Sequence, residues 1–313
     1  MEKKGLVLVA GLLALVALVS CCEENGFEMP PIVGENNGIS FSSNIMSMNP
    51  GTKASGTMWD EGDPIGVYMF KAAEGTLVGI EENIKYTAFE SGESVDFNPV
   101  GNGVFFPDNG TIVSFMAYYP YRADIMGDND AGHIYKVDVV NQTNQSVIDL
   151  LHSLNIDEKY NKYSDYEKIP LKFTHMLSQI KINLIAGLGF DSFDDVDVSV
   201  SITGMNTTAD FNLFNGSFTQ LADEYEITPF KSEESSYEAI VLPSSGISGK
   251  AKIVITLKKE GGNTDAFYWT FNNNLGPSNS YTYNVTVNRT GLAVEGSIND
   301  WAIPDNDKDV SAK

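Results

Sequence analysis

The chain has 313 residues and a formal net charge of −22, with 42 acidic against 20 basic side chains. Binding to a phosphate backbone needs a basic stripe, so this balance argues against nucleic acid as a partner and disfavours attachment to anionic lipid through charge. The two cysteines, Cys21 and Cys22, are neighbours. A bridge between them would be strained and would close no useful loop, so stability must come from a packed core.

The first four residues, Met1-Glu2-Lys3-Lys4, make a short basic start, and an apolar run follows from Leu6 to Val19. A membrane-spanning helix needs about 20 apolar residues, so this run suits the hydrophobic part of a secretory signal. It ends in Leu18-Val19-Ser20-Cys21, which resembles the bacterial lipobox. The resemblance implies a lipoprotein signal peptide over residues 1–20, cleavage before Cys21, and lipid on the Cys21 thiol that ties the chain to outer-membrane lipid. Acylation at Cys22 would leave Cys21 at the last position before the cut, where smaller residues are usual. Residues 21–37 read as a polar tether, held extended by Pro30-Pro31. Its Glu23-Glu24 pair either resembles a surface-export signal or is part of a solvated linker.

After the tether the pattern is that of an all-β protein. Gly38–Ser42 is the first strand candidate, and a polar stretch runs from Asn44 to Thr57. A turn over Met58–Asp63 leads into a strand at Ile65–Phe70. Ile112–Tyr119 is apolar on both faces and stops at Pro120, as a central strand would. Ile134–Val140 is a further strand, whereas Val147, Leu150, Leu151 and Leu154 have helical spacing. Leu171, Phe173, His175 and Leu177 keep a period of two, and Ile180, Ile182 and Leu184 continue one step out of phase. A β-bulge or one helical turn would produce that shift. Clean alternation marks strands around 196–202, 253–257 and 281–287. Strands divided by Gly, Asn, Pro and Ser turns point to β-sandwiches, and no helical region is long enough for βαβ units. The expected division is a β-sandwich over 38–160 and a second over 161–313, without an internal repeat.

No constellation for chemistry emerges. His133, His152 and His175 lack metal-ligand spacing, and His175, on a face with Leu171 and Phe173, reads as a hydrogen-bonded core residue. Asp128-Asn129-Asp130 and the stretch Asp305–Asp309 miss the glycine and glutamate of a calcium loop. No nucleophile elbow, phosphate loop or dinucleotide fingerprint occurs. The expectation is therefore a protein without catalytic residues, cofactor or metal, and not an enzyme.

Four segments, in order, resemble the fimbrillin family of lipoproteins, in its Mfa-like branch. They are Thr57-Met58-Trp59-Asp60-Glu61-Gly62-Asp63-Pro64-Ile65-Gly66-Val67-Tyr68; Val113-Ser114-Phe115-Met116-Ala117-Tyr118-Tyr119-Pro120-Tyr121; Leu171-Lys172-Phe173-Thr174-His175-Met176-Leu177-Ser178-Gln179-Ile180; and Tyr281 to Leu292 with Ile298-Asn299-Asp300-Trp301. The resemblance implies two transthyretin-like β-sandwich domains in tandem. It also implies a cell-surface fimbrial subunit, structural or accessory (tip or anchor), that serves adhesion. In the family a trypsin-like protease cuts after a basic residue and frees the lipid with the first strand. A donor strand from another subunit then fills the groove by β-augmentation. The matching cut falls between Lys53 and Ala54, where lysine stands in place of the usual arginine. The implied partners are other fimbrial subunits through strand donation, and a host or bacterial surface receptor. The tail after Trp301 alternates apolar residues poorly, which favours an accessory role over a stalk subunit. The competing reading is a surface lipoprotein that binds glycan or protein without polymerising, with Trp59, Trp269 or Trp301 stacking on sugars; core packing is the preferred role for each.

Overall fold

The computed structural model describes residues 38–46, 58–72, 76–77, 82–125, 133–245, 247, 249–259, 262 and 264–301. Cys21, Lys53, Ala54 and both aspartate-rich stretches lie outside them. The described residues are all-β, with a single short 3-10 turn at Gln145–Val147.

The first group of strands closes on itself. It consists of β1 (Phe41–Ile45), β2 (Pro64–Lys71), β3 (Thr76–Leu77), β4 (Ile84–Ala88), β5 (Ser94–Pro99), β6 (Val113–Tyr119), β8 (Leu151–Tyr160) and β9 (Ile169–His175). The order is β2-β4-β5-β1-β9-β8-β6, and β6 pairs again with β2, which completes a seven-strand ring; β3 adds to the end of β2. Side chains from each of the seven ring strands fill the interior, among them Phe41, Ile65, Val67, Tyr86, Phe97 and Phe173.

The outer face of the ring is covered over β2 and β6. Tyr68, Phe70, Met116 and Tyr118 point away from the interior and join a second apolar cluster. There they meet β7 (Ile134–Asp138), β12 (Thr208–Asn212) and β13 (Ser217–Ala222), which form a three-stranded sheet. Tyr118 packs edge-on against Tyr135, with ring centroids 5.8 Å apart. Lys136 Nζ donates to Asp210 Oδ1 at 2.6 Å between β7 and β12. All seven residues of β6 are consequently buried, as its two-sided apolar pattern requires. Gly66 on β2 makes this packing feasible: a Cβ there would sit 2.2 Å from Cε1 of Tyr118.

The remaining strands form a sandwich of two sheets. One has the order β14 (Phe230–Glu233), β15 (Ser236–Val241), β10 (Ser178–Ala186), β18 (Asn279–Asn288), β19 (Gly291–Asp300). The other is β11 (Val196–Thr203), β16 (Lys252–Lys259), β17 (Thr264–Thr270). Ile180, Ile182, Tyr283 and Val285 belong to the same buried cluster as Ile202, Ile253 and Ile255. The alternation around 196–202, 253–257 and 281–287 corresponds to β11, β16 and β18.

Three expectations need correction. The phase shift near Leu177 is neither a bulge nor a helical turn: the chain leaves the ring after His175 and enters a different sheet at Ser178. The helical spacing of Val147, Leu150, Leu151 and Leu154 comes from the 3-10 turn followed by β8. Leu151 faces the ring interior and Leu154 the opposite side, so burial on both faces of a strand imitates a helical stripe. Finally, the strands do not divide at residue 160. β9 lies beyond that point yet pairs with β1 and β8, and β7, before it, pairs with β12.

His152 sits on the outward face of β8, where its Nε2 donates to the carbonyl oxygen of Leu213 at 2.7 Å. Burial holds this imidazole down at about 4 against its ordinary 6.5, despite the hydrogen bond to Leu213. Unfolding lets it take a proton at the higher pH, so stability should fall as pH drops from about 6.5 to about 4, by about 3 kcal/mol in full. His152→Gln should flatten that part of the pH dependence, measured by urea unfolding at about pH 7 and about pH 4.

Candidate functional site

The segment 38–46 forms the ring strand joined to the rest of the body through residues 47–57. β1 pairs antiparallel with β5 and parallel with β9, so that Phe41 faces Phe97 and Ile169, Ser43 faces Val95 and Leu171, and Ile45 faces Phe173. Its flanks extend the pairing: Ile39 N donates to Val104 O at 2.7 Å, and Met46 N to Phe173 O at 2.7 Å. Tyr86 Oη donates to Ile39 O and accepts from Val104 N, both at 2.9 Å, which ties this entry to β4.

The alternation of β1 decides what fills the interior. Phe41, Ser43 and Ile45 are buried, while Asn44 is exposed. The Phe41 ring meets Tyr86 at 5.0 Å and Phe115 at 5.2 Å, both edge-on. On the outer face the two walls are joined across the strand. Lys168 Nζ, just before β9, donates to Asp96 Oδ2 of β5 at 2.6 Å, and Asp96 stands opposite Ser42.

Trp59 closes the lower part of the interior. Its backbone exchanges hydrogen bonds with Gly92 at 2.8 and 3.0 Å. Its ring lies edge-on to Phe97 and Phe173, each at 5.1 Å, and to Tyr119 at 5.5 Å. The turn after it is built locally: Asp60 N donates to Asp63 Oδ2 at 2.9 Å, and Gly62 takes a φ of 88° that favours glycine. Burial pushes the Asp63 carboxyl above its ordinary value, against the hydrogen bond it accepts from the Asp60 backbone.

The other residues singled out by sequence serve packing. Trp301 is buried and stacks on His175 with centroids 4.2 Å apart, and His175 Nδ1 donates to Asp149 Oδ1 at 2.9 Å. Trp269 packs against Tyr283 at 4.9 Å. His133 Nε2 lies 3.4 Å from Glu82 Oε2, with its ring beside Phe214. The side chains of the three histidines each have their own polar partner: Glu82 for His133, the Leu213 carbonyl for His152 and Asp149 for His175. The three tryptophans, offered as sugar platforms under the competing reading, lie in or against the cores. Sequence reading placed the first strand at Gly38–Ser42 and did not single out Ser43 or Ile45. The alternation Phe41-x-Ser43-x-Ile45 was the available signal, and a small polar residue at its centre concealed the buried face.

A family model described as fimbrillin-like matches residues 52–301. A protein of Bacteroides uniformis, named as a candidate fimbrium subunit, Fim1C, is 30% identical over 306 residues, with 95% of each chain covered. Among solved structures, a candidate cell adhesion protein of Bacteroides uniformis superposes with a TM-score of 0.67 at 27% identity, over 84% of this chain and 97% of that one. A candidate cell adhesion protein of Bacteroides ovatus gives a TM-score of 0.60 at 19% identity, over 87% of this chain and 100% of that one, a likeness of fold alone.

Because Phe41 is the largest buried side chain of β1, Phe41→Ala in the intact chain should cost about 3–5 kcal/mol in chemical denaturation. Asn44→Ala, on the exposed face, should stay within about 0.5 kcal/mol of the parent.

Proposed function

The chain belongs to the fimbrillin-like family, and we propose that it is a fimbrial subunit whose first strand is a removable plug. The observation that carries this reading is the position of β1. It closes the ring between β5 and β9, and it is joined to the body only through the segment that holds Lys53. A cut between Lys53 and Ala54 would leave 38–46 held by non-covalent contacts alone. Loss of that segment would open a groove with unpaired backbone on both walls, which an extended segment of another subunit can fill by β-augmentation. The family match begins at residue 52, beyond β1, in keeping with a shared body and a separable first strand.

In this reading lipid on Cys21 anchors the precursor to the outer membrane, and the cut exchanges that anchor for a place in a fimbrium at the cell surface. The protein then serves adhesion as a structural or accessory (tip or anchor) subunit, through strand partners and a surface receptor, and its work is mechanical with no catalysis. The two apolar clusters support two transthyretin-like sandwiches, with their seam at the Met176–Leu177 crossover and with β7 and β12 pairing across it.

The purified mature chain, cut near Lys53, should form higher-order ladders on gels, while Lys53→Gln exposed to the same protease should stay a single species. A cut chain that stays monomeric at high concentration would overturn the subunit reading. Intact mass of the protein from its native cell surface should show a chain that begins at Ala54 and carries no acyl group; a chain that begins at acylated Cys21 would make the anchor permanent.

A further inference from the structure

We propose that the groove between β5 and β9 reads its occupant at three alternate inward positions, requiring a large aromatic, then a small side chain, then a branched aliphatic. The partner that refills it is an extended segment of another subunit with that triplet, running in the direction of β1. This inference rests on the plug reading above and specifies the chemistry of what enters.

The outer positions of the triplet follow from the present occupant. Phe41 sits edge-on to Tyr86 and Phe115, so an aromatic ring is matched there by two others. Ile45 lies opposite Phe173 and is 7% exposed.

The central position is set by Trp59. Its indole touches Phe97, which stands opposite Phe41 on one wall. It also touches Phe173, which stands opposite Ile45 on the other wall. A single ring in contact with both spans the groove from one wall to the other, and Ser43 is the inward residue midway between Phe41 and Ile45. Ser43 is 3% exposed, so the space at this position is closed, and a small side chain is what the inferred path of the indole allows. A branched or aromatic residue at this position would be driven into the indole, and overfilling a packed interior displaces side chains from their rotamers. The hydroxyl itself is not what the position needs. Among the described residues neither Ser43 Oγ nor Trp59 Nε1 has a hydrogen-bond partner, so alanine should serve as well as serine.

The code also separates candidate donors. Residues 302–313 contain no aromatic side chain and no such triplet, so this stretch of a second copy does not meet it.

The test uses the mature chain with a site-specific protease sequence in place of residues 50–56, cut in solution with β1 still seated. Labelled peptides are then offered and entry is followed by fluorescence anisotropy. Peptides of residues 38–46 with the native sequence and with Ser43→Ala should enter about equally. A Ser43→Leu peptide should bind about tenfold more weakly and a Phe41→Ala peptide about a hundredfold more weakly. A peptide of residues 302–313 should stay out. Entry of the Ser43→Leu peptide at native strength, or entry of 302–313, overturns the code. If no peptide enters, the exchange reading of the previous section falls, and the code is read in the uncut chain instead. There Ser43→Ala should keep or raise Tm and Ser43→Leu should lower it; equal Tm values would overturn the inference.

Discussion

Closure of the ring rests on β1, a strand of five residues that pairs with a different neighbour on each side. Without it the facing edges of β5 and β9 would present unpaired amides and carbonyls next to an aromatic interior. An unpaired buried backbone group costs about 1–3 kcal/mol, so an opened ring is under strong pressure to be refilled. The same strand supplies Phe41 to the interior, which means that backbone pairing and core packing are lost or regained together. Surface charge adds little: the Lys168–Asp96 pair across the strand is partly exposed, and such pairs are worth about 0–1 kcal/mol.

The body around this groove is not a free-standing barrel. β2 and β6 are buried on both faces, and their outer faces are finished by the sheet of β7, β12 and β13. At the other end of the ring, His175 stacks on Trp301 and its carbonyl oxygen accepts from Ser278 Oγ at 2.5 Å. The ring is therefore braced from outside opposite the groove, across β2 and β6, and one groove wall, β9, is braced at its His175 end.

Much of this was legible in the sequence, and the misreadings have physical causes. Long strands with one buried face, such as β11 and β18, display the period of two directly. The short strands β3 and β14 carry too few residues to show any period. β8 is buried on both sides, so its leucines fall at helical intervals by accident. The crossover at Met176–Leu177 changes sheets without a glycine or proline to announce it, and alternation alone cannot tell a change of sheet from a slip of register. At the candidate site the tryptophan turn and the lysine beyond the first strand were visible as motifs. Ser43 was not, because a small polar residue at the centre of a five-residue alternation hides a position that is buried only once β5 and β9 flank it.

The unlike neighbours of β1 have a consequence for symmetry. One wall is antiparallel to it and the other parallel, so the two directions of entry are not equivalent and the socket has a defined polarity. A contact made by inserting a strand of one molecule into this socket of another joins two different patches and cannot be a self-complementary two-fold interface. Heterologous contacts of that kind close only into rings; otherwise they propagate. The direction of a single short strand would thus be copied at every junction and would give the whole assembly a head and a tail.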